Sequence, residues 1–155
     1  MAPKLDTPPP TLYLNFASAD PSAAGIFFAS LGFTPIKAYS DETTKTFFLP
    51  APNNTVALMI HGHSRFKEFI RPGTAIVDAK STSECLFTLA VEKKEDVDAC
   101  LGKAVAAGGA ADPFVMKDYG AECGMYSRSF ADLDGHIWEV VAMIGDGPHG
   151  CEGTS

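Results

Sequence analysis

In DLDGHIWEVVAM, residues 132 to 143, a single carboxylate, Glu139, stands inside a run that is otherwise apolar. In an extended chain Ile137, Glu139, Val141 and Met143 share one face, and His136, Trp138, Val140 and Ala142 share the other. Neither face is polar, so alternation alone does not deliver Glu139 to bulk water. An acid in an apolar wall must be solvated by a cleft, paired, or neutralised by a raised pKa. Paired with Arg128, Tyr13 or Asn15, it would orient its surroundings and catalyse nothing. Facing a cleft, it would contact a ligand or move a proton, which makes Glu139 the candidate catalytic group. A second set is His61-Gly62-His63, whose imidazoles fall on one side of a strand if the strand continues that far. With Glu139 they form an alternative donor set for a divalent ion. Gly62 and Ser64 mark a strand ending there, and histidines at a strand exit are commonly solvated or locally hydrogen-bonded. His136, after a turn, and His149, in the tail, are expected to be structural or idle.

Tyr126, Arg128 and Phe130 alternate onto one face. Arg128 is thereby a candidate either to hold a ligand's carboxylate or to neutralise Glu139. Phe114, Tyr119 and Tyr126 are candidates for the wall of a planar ligand's site, with core or rim as the plainer assignment. Phe27, Phe28 and Phe33 read as core. The loop from Lys117 to Glu122 has the glycine and charge expected of a lid.

The elements that must position these groups are visible as an internal duplication. Leu12 to Ala17 alternates like a strand, and Asp20-Pro21 supplies a helix cap followed by proline at the first helical position. Ala24, Phe27, Phe28 and Leu31 then form one helical face, which Gly32 closes. An offset of 73 residues carries this pattern onto Leu86 to Ala90 and onto Val97, Cys100, Leu101 and Ala104, with Gly108-Gly109 ending the second helix. Three strand-like runs follow each helix. They are Phe33 to Tyr39, Thr44 to Leu49 and Thr55 to His61, then Ala111 to Lys117, Gly124 to Phe130 and His136 to Met143. The Asp134-Gly135 pair before the last is a hairpin signal.

The expected fold class is therefore α+β, two tandem β-α-β-β-β modules whose curved sheets surround a cleft. The boundaries read as a loose lead-in at 1–10, the first module at 11–62, a connector at 63–83 with a short helix around Arg65 to Ile70, the second module at 84–144, and a flexible tail at 145–155.

Composition excludes several partners. The chain has 155 residues, 46% hydrophobic and 20% charged, as expected of a globular protein. Twelve Lys and Arg against nineteen Asp and Glu give a net charge of −7, which argues against a nucleic-acid partner. No apolar run has membrane-spanning length, and MAPKLDTPPP lacks the apolar core of a signal peptide. Cys85, Cys100, Cys123 and Cys151 are widely spaced with no CxxC, so a cytoplasmic location with reduced thiols is expected.

The duplicated module, closed by DLDGHIWEV, resembles the vicinal oxygen chelate superfamily, the group of glyoxalase I, bleomycin-resistance proteins and extradiol dioxygenases. The likeness runs from Thr11 to Met143, and the segment from Ser81 to Met143 looks like a glyoxalase/bleomycin-resistance-type subgroup. That resemblance implies a metal held by one side chain from the first and last strand of each half. The corresponding positions carry Tyr13, Met59, Leu86 and Glu139, of which only Glu139 matches. Asn15 and Thr88 follow two residues on, on the same faces as Tyr13 and Leu86.

The expected function is binding of a small organic molecule in an apolar cleft lined by Tyr13, Asn15, Met59, Leu86, Thr88, Tyr126, Arg128 and Glu139, with no cofactor and no catalytic metal. The alternative is a metal-dependent lyase, isomerase or dioxygenase of glyoxalase I type, using Glu139 with Zn, Ni, Mn or Fe. The resemblance also implies a homodimer.

Overall fold

The computed structural model describes residues 8–83, 85–115 and 124–145. The expected lid at 117–122, with Tyr119, and also Cys123, Cys151 and His149, lie outside these residues. The chain divides into two compact units, Met1–Thr82 and Ser83–Ser155.

The first unit contains β1 (Leu12–Ser18), α1 (Pro21–Ser30), β2 (Thr34–Pro35), a 3₁₀ turn at Lys37–Tyr39, β3 (Thr44–Phe48), β4 (Val56–Gly62) and the short α2 (His63–Phe66). Its sheet has the order β1-β4-β3-β2, with β1 parallel to β4 and the other pairs antiparallel. The start of α1 follows from two adjacent residues. The Asp20 carboxylate accepts from the backbone N–H groups of Ser22 and Ala23, each at 3.0 Å, and Pro21 needs no partner for a missing N–H. A cap of this kind contributes about 1 kcal/mol. Gly32, at φ +92°, ends the helix in a conformation that side chains with a Cβ avoid. Ala24, Phe27 and Phe28 are buried against the sheet face that carries Phe16, Phe47, Leu58 and Ile60. The Phe28 ring lies 6.1 Å from Phe16 and 5.0 Å from Phe33.

The second unit repeats the wiring with β5 (Leu86–Val91), α3 (Lys94–Ala106), β6 (Ala110–Ala111), β7 (Met125–Ala131) and β8 (Ile137–Met143), in the order β5-β8-β7-β6. Val97, Leu101 and Ala104 of α3 are buried with Leu89, Phe130, Trp138 and Val140, and Cys100 is half-buried beside them. Burial pushes the Cys100 thiol up, which favours its protonated form. Trp138 is stacked 4.6 Å from Phe87 and 6.2 Å from Phe130.

The expected second strand of each unit is much shorter than its sequence pattern. Phe33 to Tyr39 yields only Thr34–Pro35, because Pro35 has no N–H for the ladder and the chain tightens into the 3₁₀ turn. Ser40 then takes over part of the pairing, accepting from the Thr46 N–H at 2.9 Å. In the second unit, described strand from the Ala111 run is confined to Ala110–Ala111, since Asp112 turns to φ +43° before Pro113. The short helix expected around Arg65 to Ile70 begins earlier, directly on the end of β4, as α2.

Candidate functional site

The turn before β8 is built by an acid that the Asp-Gly pattern does not single out. Asp132 is buried, and its Oδ1 accepts from the backbone N–H groups of Asp134, Gly135 and His136, each at 3.0 Å. Its Oδ2 accepts from the Trp138 indole N–H at 3.0 Å. Burial pushes the Asp132 carboxyl up, against the opposing pull of His136 and the indole and backbone donors. Asp132 thereby fixes where β8 starts and which way Trp138 points. With Trp138 turned to the α3 side, its neighbour Glu139 must project from the opposite face.

On that face Glu139 stands between two polar neighbours in register, Thr88 on β5 and Ser129 on β7. The Thr88 hydroxyl donates to Glu139 Oε2 at 3.0 Å. Glu139 is half-buried, and among the described residues it has no ion-pair partner. An open pocket of about 160 Å³ lies here, lined by Glu139, Ser127 and Ser129 from the strands, by Arg128, and by the segment carrying Asp112, Phe114 and Val115. The Ser129 hydroxyl donates to the Phe114 carbonyl at 2.9 Å, and the Asp112 N–H donates to the Ser129 carbonyl at 2.8 Å, so that segment is tied to β7. Phe114 and Val115 remain substantially exposed and present apolar surface beside a polar floor.

Arg128 pairs in register with Val140, so it belongs to the α3 side of the sheet. Its guanidinium donates through Nε to Asp112 Oδ1 at 3.1 Å and through Nη2 to Asp112 Oδ2, and it pairs with Asp98 of α3 at 3.4 Å. This corrects the expectation that Arg128 neutralises Glu139. The hydrogen bonds from Arg128 hold the Asp112 carboxyl below its ordinary range and raise the already basic guanidinium. Tyr126 is on the same side. Its hydroxyl donates to Asp98 Oδ1 at 2.8 Å, Lys94 Nζ lies 4.6 Å from its ring centre, and it does not line the Glu139 pocket. Leu86 shares the Glu139 face one pair along, opposite Ile137, and is half-exposed.

In the first unit, Tyr13, Asn15, Met59 and His61 share the face away from α1, with Asn15 paired to Met59. His61 is buried, and both ring nitrogens are engaged. The Asn15 amide group donates to the Tyr13 carbonyl at 3.2 Å, which turns its Oδ1 toward His61. His61 Nε2–H therefore donates to Asn15 Oδ1 and Nδ1 accepts from the Thr44 hydroxyl, both at 2.9 Å. Burial, helped by the charge of Arg65, lowers the His61 pKa against the opposing pull of Asp41. The Phe66 and Phe69 rings lie 6.3 and 5.1 Å from the imidazole. His63 opens α2 and is exposed.

A resident divalent metal does not fit these residues. Leu86 has no donor atom, the Met59 thioether prefers soft ions, and Glu139 is the only carboxylate among the four positions the resemblance singles out. His61, of the alternative set, has both nitrogens committed to protein partners. Among the described residues no three His, Cys, Asp or Glu side chains converge to hold an ion. No helix among the described residues is long and apolar enough to cross a membrane.

Compared by sequence, the chain matches no family model and no curated protein. Compared by structure, it is similar to a glyoxalase-related enzyme from Fulvimarina pelagi, with 19% identity, coverage of 89% of this chain and 88% of that one, and a TM-score of 0.66. A glyoxalase/bleomycin resistance protein/dioxygenase family enzyme from Burkholderia phytofirmans PsJN gives 18%, 84% and 96%, and 0.64. A glyoxalase/bleomycin resistance protein/dioxygenase from Nocardioides gives 18%, 96% and 93%, and 0.63. These likenesses show the fold, that of glyoxalase/bleomycin-resistance/dioxygenase proteins, in agreement with what the sequence resemblance implies.

Proposed function

We propose that this chain, built on the fold of the glyoxalase/bleomycin-resistance/dioxygenase proteins, binds a small organic molecule at Glu139 and needs no resident metal to do so. One observation carries the reading. A pocket of about 160 Å³ brings together Glu139, which has no ion-pair partner among the described residues, two serines and the apolar surface of Phe114 and Val115. That volume suits a single ring, since an engineered cavity of about 150 Å³ holds benzene. Apolar wall and few convergent polar groups are the usual make-up of a ligand site. The four cysteines, widely spaced and without a CxxC pair, support a reducing, cytoplasmic setting. Leu86 and Met143, exposed on the Glu139 face, support self-association as a homodimer; light scattering that finds a monomer at micromolar concentration contradicts it.

The test is an amide-shift titration with a neutral single-ring probe, benzyl alcohol, beside calorimetric titrations with Ni, Zn, Mn and Fe(II). The reading expects probe shifts around Ser127, Ser129 and Glu139, and no stoichiometric tight metal binding. Tight binding of a metal that is lost in Glu139→Gln overturns it.

A second reading rests on Glu139 Oε1, which accepts no protein hydrogen bond among the described residues and is placed to take a proton from a ligand. Formation of lactoylglutathione from the methylglyoxal–glutathione hemithioacetal would establish that enzymatic reading over simple binding.

A further inference from the structure

We infer that the occupant of the Glu139 pocket is a compact organic cation, a single ring bearing a protonated amine or amidine. The inference rests on the reading that this pocket binds a small molecule, and adds the chemical class. Among the described residues, the charged residues at the pocket are Asp112, Glu139 and Arg128, and the register turns the Arg128 guanidinium to the α3 side. The three are not equivalent. Arg128 is held by Asp112 through both Nε and Nη2 and by Asp98 through Nη1, so its charge is already met twice over. Asp112 is satisfied by the same pairing. Glu139 is different, because its bond to Thr88 comes from a neutral hydroxyl, and no described cation pairs with it.

A half-buried carboxylate with one neutral donor gains most from a ligand that brings its own positive N–H groups. Ser127 and Ser129 line the same pocket, and a hydroxyl oxygen can accept a further N–H donor. An anionic ligand meets the opposite situation. It must approach Glu139, while the Arg128 guanidinium lies on the α3 side and is already paired with Asp112 and Asp98. The apolar part of the ligand is accommodated by Phe114 and Val115, and the Phe114 ring adds its attraction for a nearby cation. The chain's net charge of −7 acts in the same direction at longer range.

The experiment compares three probes with the same ring, benzylamine, benzyl alcohol and benzoate, by calorimetry at pH 7 with amide-shift mapping on the full chain. Benzylamine is expected to bind about tenfold more tightly than benzyl alcohol, with benzoate weakest, and all shifts centred on Ser127, Ser129 and Glu139. In Glu139→Gln, with its fold checked by its amide spectrum, the advantage of benzylamine over benzyl alcohol is expected to shrink to within about twofold. Benzoate binding at this footprint as tightly as benzylamine overturns the cation inference and leaves the pocket reading standing. An amine advantage that survives unchanged in Glu139→Gln overturns the role given to Glu139. No shift at the pocket from any of the three overturns the binding reading and this inference with it.

Discussion

Thr88 and Glu139 face each other directly across the parallel pair of β5 and β8, and the Thr88 hydroxyl donates to Oε2 of the carboxylate at 3.0 Å. That bond holds one carboxylate oxygen of Glu139, a residue that lines the pocket. Thr88→Val keeps the β-branched shape and removes the donor. It is expected to weaken benzyl alcohol binding by a few fold, corresponding to about 1 kcal/mol for one hydrogen bond. Because Thr88 is exposed, urea unfolding is expected to change by less than about 0.5 kcal/mol. Calorimetry that finds unchanged affinity would show that the Thr88 bond does not organise the site.

Asp132 carries a different load, because four N–H groups depend on it. Asp132→Ala leaves the buried Trp138 indole and the part-buried Asp134 and His136 N–H groups without this acceptor, Gly135 keeping the Asp132 carbonyl, and is expected to cost about 3 kcal/mol. Urea denaturation measures this, and Trp138 fluorescence reports whether the indole has moved. A loss below about 1 kcal/mol would mean that the turn holds without the carboxylate.

Much of this arrangement was legible in the residues. Asp20-Pro21 and the apolar spacing of Phe27 and Phe28 announce α1, and the alternation in β8 by itself puts Glu139 and Trp138 on opposite faces. Alternation also groups Tyr126 with Arg128, but it does not reveal which side of the sheet the helix covers. The register Arg128 to Val140 supplies that, and sends both residues away from the Glu139 face. Asp132, Asp112, Ser127 and Ser129 escaped for another reason. Small polar residues in turns and strands have no periodic signature, and their roles depend on pairing between segments far apart in sequence. A usable signal existed for Asp132, since an aspartate ahead of Asp-Gly often accepts backbone N–H groups of its own turn.

His61 makes the stability of the first unit depend on pH. Burial favours the neutral imidazole, so the folded-state pKa lies below the ordinary 6.5. The unfolded chain then takes up the proton first as pH falls. This contribution to stability is complete above the unfolded value and declines as pH drops through the lowered folded value. Arg65 opposes protonation and Asp41 favours it, and the rings of Phe66 and Phe69 offer no acceptor. An NMR titration should find the His61 ring protonating below pH 6.5, and thermal unfolding should lose less between pH 7.5 and 5.5 in His61→Gln than in the unaltered chain, an interval of about two units around the ordinary histidine value. A His61 midpoint above the ordinary value would contradict the hydrogen-bonded, neutral assignment.

Asp112 adds a second carboxylate to the Glu139 pocket and meets part of the charge of Arg128. Asp112→Asn removes one of its two counter-charges and is expected to raise benzoate affinity by a few fold, on the order of 1 kcal/mol for a half-exposed pair, while benzylamine loses affinity. Calorimetry with both probes checks this. Equal changes in the two affinities would show that the effect is steric rather than one of charge.

The measurement that bears most directly on the central claim is the amide-shift footprint of benzyl alcohol on the full chain, recorded in the presence of EDTA and again with added divalent metal. A metal-independent site at Glu139 gives a footprint centred on Phe114, Ser127, Ser129 and Glu139 that is the same in both conditions. A footprint elsewhere, or one that appears only with added metal, would contradict it.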